Sequence, residues 1–171
     1  MKTLVFEMKY SKMALMEHID FDRATKLILQ ELQQDVRQST QALADKVGLS
    51  ATPVWRRIKE LEDSGVIRGH VALVDREKLG LHICVLAHVS LVRHSEGAVE
   101  QFEQVARDSR EIIECLGITG EADYVLKVVV PDMKAYDAFL QSRLFKLPGV
   151  ASVRSNVVLR EVKYETALPI L

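Results

Sequence analysis

Between residues 22 and 35, Ala24, Leu27, Ile28 and Leu32 recur at the three-to-four-residue spacing that lines one face of a helix. Asp22 stands ahead of them, where a carboxylate can cap the first free N–H groups. A second helix opens at Ser39 and carries Ala42, Leu43 and Val47 on one side. Gly48 follows, and a glycine just past the last turn can take the left-handed conformation that ends a helix. Leu49 and Ser50 form a short link. Ser50 can cap a third helix, and Pro53 falls in its first turn, where a missing N–H costs little. The apolar stripe of that helix is Val54, Ile58 and Leu61, and it stops near Ser64 and Gly65. Helices joined by a tight turn containing glycine make a helix-turn-helix pattern.

Residues 66–74 are β-rich and read as an extended arm, and residues 75–81 read as a connection. The pattern then changes from helical to alternating. Ile83, Val85, Ala87, Val89 and Leu91 share one face of a strand. Ser95 is expected to cap a helix with Val99, Phe102 and Ala106 inward. Residues 112–119 are strand-like, 120–123 form a turn, and 124–130 form a mostly apolar strand. Asp132 caps a helix presenting Met133, Tyr136, Phe139 and Leu140; Pro148 and Gly149 break the chain; residues 150–162 make the last strand. The expected class is α+β: an N-terminal helix-turn-helix (winged-helix-like) domain joined by a β arm to a ferredoxin-like βαββαβ sandwich. The expected boundaries are a flexible tail at 1–19, the helical domain at 20–66, arm and linker at 67–81, the sandwich at 82–165 and a C-terminal tail at 166–171.

Composition adds two constraints. With 48% hydrophobic and 27% charged residues in 171, the chain reads as a soluble globular protein whose two small halves would lean on partner subunits. A net charge of −1 supplies no global basic field, so any nucleic-acid contact must rest on a local patch. Cys84 and Cys115 form no CxxC motif and read as reduced, buried thiols. No run of about 18 apolar residues is present, so no membrane span is expected. Lys2, Glu7, Lys9, Lys12 and Glu17 interrupt the N-terminal segment, which excludes a signal-peptide reading and points to the cytoplasm.

The third helix offers the chemistry. Opposite Val54, Ile58 and Leu61 lie Thr52, Trp55, Arg56 and Lys59, with Arg57 on the flank and Ser50 at the start. Arginine can pair with O6 and N7 of guanine, and lysine and hydroxyl groups can hold phosphates. The plain alternative is a solvated face, since Glu60, Glu62 and Asp63 follow closely. An outward tryptophan behind a tight helical turn favours recognition of double-stranded DNA. Other chemistry finds little support. His18, His70, His82, His88 and His94 invite a metal reading, but His82 and His88 would sit ~20 Å apart along a strand. Ligand bonds of ~2 Å cannot bridge that. No P-loop, GxGxxG or nucleophile elbow occurs, and Cys115 lacks a base beside it. Neither an enzyme nor a cofactor is expected.

The segment from Leu49 to Glu62, continuing through Gly65-Val66-Ile67, resembles the recognition helix of the Lrp/AsnC (feast/famine) regulators. Glu31-Leu32-Gln33-Gln34-Asp35, Gly120-Glu121-Ala122-Asp123-Tyr124, Pro131-Asp132-Met133, Leu147-Pro148-Gly149-Val150 and the run from Val157 to Lys163 extend the resemblance over about residues 20–165. It implies a DNA-binding domain linked by a β arm to an effector-binding domain. It also implies homodimers, often assembled to octamers, that bind an amino acid or related metabolite in clefts between dimers. The effector turn would be Gly120 to Tyr124, with Asp123 facing a ligand amino group. Leu116, Met133, Val157 and Val158 match positions near that cleft, and Asn156 stands where relatives often carry Tyr or Thr. From its residues alone, the same stretch is a hairpin turn. Two other readings stand beside a sequence-specific regulator: a nucleoid-type architectural protein, and an amino-acid-sensing module without DNA binding.

Overall fold

The computed structural model describes residues 20–92 and 97–170. These form two units, residues 20–71 with 165–170, and residues 72–164. The expected N-terminal tail, His18, His94 and the Ser95 cap lie outside the described residues.

In the first unit, Asp22 accepts the Thr25 N–H at 2.7 Å and opens α1, Arg23–Gln34. Ser39 caps α2, Thr40–Val47, through Ala42 N–H at 3.1 Å. Gly48 then turns the chain at φ 70°, a conformation that costs glycine little. Ser50 occupies the cap position of α3, Ala51–Asp63, without a side-chain cap bond. Ile28, Leu43, Ala44 and Val54 form the fully buried core, with Leu32, Val47, Leu49 and Ile58 packed against it. Ala44, not Ala42, faces inward. The contact with α1 and α3 rotates α2 so that Leu43 and Ala44 meet Ile28 and Val54, and a residue as small as alanine does not resist either placement. Residues 165–170 belong to this unit. The Gln33 side chain brackets Leu168, donating to its carbonyl at 3.0 Å and accepting its N–H at 2.6 Å.

Residues 66–74 form no strand, and Val71, Leu73 and Val74 are exposed. A β arm needs a ladder to join, and the described chain brings none beside it.

The second unit is a four-stranded antiparallel sheet in the order β2-β3-β1-β4. Its elements are β1 (Ile83–Leu91), α4 (Ala98–Asp108), β2 (Ile112–Gly117), β3 (Tyr124–Val130), α5 (Met133–Phe139) and β4 (Val150–Val157). Val85, Ala87 and Val89 of β1 and Leu126, Val128 and Val130 of β3 point to one face. Phe102 of α4 and Tyr136 and Phe139 of α5 pack onto it, with Leu144 from the π-helical turn Leu140–Leu144 that extends α5. This is the expected βαββαβ arrangement.

Three details differ from expectation. Ala98 rather than Val99 faces inward. A Cβ on Gly149 would stand 2.5 Å from the Ala98 Cβ, so this close approach selects small residues on both sides and turns Val99 out. Met133, in the first turn of α5, is half exposed while Tyr136 and Phe139 are buried. Finally, β4 ends at Val157, five residues early. Beyond it Val158 N–H still bonds the Cys84 carbonyl at 2.9 Å. The chain then carries Glu161 and Tyr164 to Lys127 on the sheet face opposite the helices.

Candidate nucleic-acid interface and effector turn

Burying Val54, Ile58 and Leu61 against the helical core leaves the other side of α3 to water. Thr52, Trp55, Arg56 and Lys59 follow i, i+3, i+4, i+7 spacing and therefore form one exposed stripe. Trp55 is 58% exposed, the observation that separates this stripe from an ordinary solvated helix face. Burying an indole contributes ~2 kcal/mol or more, and here that gain is left unused within the unit. Ser50 is exposed at the helix start. The first-turn N–H groups beside it have no intrahelical acceptor and favour an anion.

The cations on this stripe are held loosely. Arg56 Nε lies 3.6 Å from Glu60 and Lys59 Nζ 3.5 Å from Asp63. Exposed i, i+4 pairs contribute under about 1 kcal/mol, so a phosphate can displace the carboxylate. Arg57 differs: its guanidinium donates to Asp22 Oδ2 at 2.8 Å. Hydrogen bonds from Thr25 and then Arg57 hold the Asp22 carboxyl well below the usual carboxylate range.

The Gly120–Tyr124 turn, expected to hold the effector, is built largely from main-chain bonds. Ile118 N–H donates to the Asp123 carbonyl, and Asp123 N–H to the Val89 carbonyl, each at 3.0 Å. The register of β1 against β4 shifts between Ser90 and Leu91, and Asp123 Oδ2 accepts the Leu91 N–H at 2.9 Å. Asp123 therefore stabilises the turn itself.

The eight residues expected near an effector do not converge within one chain. Leu116 and Asn156 project from the sheet face opposite the helices, by their register with Val125 and Leu86. Val157 pairs with Val85 on the helix-covered side. Tyr124 turns to α4, where its hydroxyl donates to Glu103 at 2.9 Å and its ring lies 4.7 Å from that of Phe102. Burial first, and the Glu103 bond second, push its phenol well above the usual range. Gly120 is in the exposed turn, Met133 opens α5, and Val158 follows β4.

A shallow depression of about 300 Å3 lies beside the turn, lined by His88, Ile118, Glu121, Ala122, Arg154 and Asn156. Arg154 donates to Glu121 at 3.0 Å. Of the expected residues only Asn156 lines it. His88, Glu121 and Arg154 were not expected there. The strand alternation that buries Val85, Ala87 and Val89 sends His88 to the opposite face, and its pairing with Arg154 depends on the register of β4. Cys115 is exposed, correcting the expectation of two buried thiols, whereas Cys84 is buried. Partial desolvation of the Cys115 sulfur, then the Glu103 carboxylate, raise its thiol, which is the wrong direction for a nucleophile. Among the described residues no three His, Cys, Asp or Glu side chains cluster as a metal site, and no helix is long and apolar enough to cross a membrane.

Residues 21–68 match the winged helix-turn-helix DNA-binding family, and residues 84–168 match the Lrp/AsnC ligand binding domain. The chain is 39% identical over 149 residues to the DNA-binding transcriptional activator DecR of Escherichia coli K12, covering 87% of this chain and 98% of that one. It is 41% identical over 151 residues to the leucine-responsive regulatory protein of the same strain, covering 88% and 92%. Among solved structures, the transcriptional regulator NMB0573/L-Met complex from Neisseria meningitidis superposes with a TM-score of 0.83 at 36% identity, covering 88% and 97%. The two domains in this order, and relatives matched over almost their whole length, establish that the chain belongs to the Lrp/AsnC family of DNA-binding transcriptional regulators.

Proposed function

We propose that this regulator reads duplex DNA with α3, through Ser50, Thr52, Trp55, Arg56 and Lys59, and that an amino acid bound near the Gly120–Tyr124 turn changes its DNA affinity. The exposed indole of Trp55, set among a hydroxyl and two cations on the helix behind the Gly48 turn, carries the first part. One such helix makes few base contacts, so a homodimer placing two of them about one DNA turn apart, and assembly beyond the dimer to an octamer, would supply the missing affinity. The second part is supported by the relatives, one solved with L-Met and one named for its response to leucine. The scatter of Leu116, Tyr124, Asn156 and Val157 over both sheet faces fits a site completed by another subunit. The protein acts in the cytoplasm, where both DNA and free amino acids are available.

Electrophoretic mobility shift against a duplex selected by the protein from a random-sequence pool tests the helix. Trp55→Ala and Arg56→Ala should each weaken binding about 5- to 100-fold, the cost of losing a good base contact, and leave assembly by light scattering unchanged. Unchanged affinity in both would remove α3 from the interface. A thermal-shift screen over the twenty amino acids tests the effector, since a true ligand raises the melting temperature as its concentration rises. Asp123→Asn preserves an acceptor for Leu91 N–H and removes the charge. It should abolish the ligand-induced shift; a retained shift refutes the role given to Asp123.

A further inference from the structure

Arg57 stands apart from the other cations of α3. The Arg56 and Lys59 side chains are 70% and 55% exposed, and among the described residues each pairs with an acid of its own helix. The Arg57 side chain is 25% exposed and reaches out of its helix to Asp22 at 2.8 Å. The same carboxylate accepts Thr25 N–H through Oδ1 at 2.7 Å, which is the cap of α1. One group thus performs two tasks: Oδ1 starts α1, and Oδ2 holds the middle of α3. The pair thus ties α3 to the start of α1 within the unit whose small core contains Ile28 and Val54.

We infer that Arg57 is a positioning residue, which through Asp22 sets the angle at which α3 presents Thr52, Trp55, Arg56 and Lys59, and that it does not contact DNA. The inference rests on the reading of α3 as the DNA-reading helix and revises the sequence expectation for Arg57. Groups that read base edges must be held within ~0.5 Å of their working geometry, which a helix in a four-residue core needs help to meet. Were Arg57 to swing to a phosphate, Asp22 would lose its counter-charge and remain as an anion beside the same helix. That would oppose the gain.

The two roles predict opposite signs for one substitution. Asn caps helices as well as Asp does, so Asp22→Asn keeps the start of α1 and removes the charge that holds Arg57. If Arg57 positions α3, the full-length Asp22→Asn protein should bind the selected duplex about two- to fivefold more weakly per subunit. If Arg57 is a phosphate contact restrained by Asp22, the same variant should bind more tightly. Fluorescence anisotropy titrations at several salt concentrations give a second readout. Arg57→Gln should lower affinity without changing the slope of log affinity on log salt, because no phosphate contact is lost. Lys59→Gln should reduce that slope by about 0.9 per contact removed. The double variant Asp22→Asn/Arg57→Gln should be no weaker than either single one, as expected of residues acting through each other. Circular dichroism monitors folding, and Asp22→Ser, also a good cap, replaces Asp22→Asn if that variant does not fold. Equal or tighter binding by the Asp22 variant, or a slope for Arg57→Gln that falls as it does for Lys59→Gln, overturns the inference. Loss of effect in both Trp55→Ala and Lys59→Gln would instead overturn the DNA-reading face itself.

Discussion

In the helical unit the fully buried core is Ile28, Leu43, Ala44 and Val54, whereas in the α/β unit ten described residues share one cluster that includes Phe102, Tyr136 and Phe139. The smaller unit compensates at its surface. Asp22 and Ser39 cap its first two helices, Asp22 ties α3 to α1, and Gln33 brackets Leu168. The larger unit relies on apolar packing and gives the half-buried Tyr124 and the buried Tyr136 hydroxyl partners, Glu103 and Ser155. A reading head must keep one face polar and open, which limits how much apolar surface it can bury. Its geometry is therefore set by directional polar contacts, while that of the sheet is set by volume.

The largest effects should come from the two cores. Phe102→Ala should cost about 3–5 kcal/mol and Ile28→Ala about 2–5 kcal/mol. Similar energies should have different consequences. Ile28→Ala should abolish DNA binding and lower helical ellipticity while the sheet signal survives, because a small domain has little stability to spare. Phe102→Ala should instead disturb assembly and the β signal first. A single transition in denaturant, common to both variants and both signals, would show that the two units do not unfold separately.

The response to pH should differ next. Asp22 has a depressed folded-state pKa, so its contribution is present above about pH 4 and is lost as the pH falls toward the folded value. Asp22→Asn should flatten the acid limb of melting temperature against pH. For Tyr124 the folded pKa is raised, by burial first and by Glu103 second, so its contribution is present below about pH 10 and is lost as the pH rises beyond that. Tyr124→Phe should remove this alkaline loss and leave the acid limb alone. Crossed effects would break the division between a polar-tied unit and a packed one.

The smallest effect belongs to the tail. Gln33→Ala removes both bonds to Leu168 at an exposed site and should cost under about 1 kcal/mol. Faster hydrogen exchange at the Leu168 amide, with DNA affinity unchanged, is the expected result.

Capping residues were the most legible features of the chain. Asp22, Ser39 and Asp132 cap the helices assigned to them, because a cap bonds an N–H only a few residues away, whereas Ser50 takes the cap position of α3 without a side-chain bond. The stripe Val54, Ile58, Leu61 was equally plain, and with it the outward placement of Trp55, Arg56 and Lys59, since helical geometry converts spacing directly into facing. Inward alanines were harder to place. Ala44 and Ala98 sit where Ala42 and Val99 were expected, because the close contacts of α2 with α1 and α3, and of α4 with Gly149, rotate these helices.

Local order along the chain, taken alone, determined that helices with a glycine turn come first and a βαββαβ sheet follows, and which side of α3 meets water. Tertiary structure alone decided that Arg57 serves Asp22, that Asp123 satisfies Leu91, that Tyr124 turns toward Glu103, and that His88 lies opposite Arg154. The reason is range. Caps and stripes arise from neighbours within a turn or two, whereas these partners lie 21 to 66 residues apart in the sequence and meet only when helix packing and strand register bring them together.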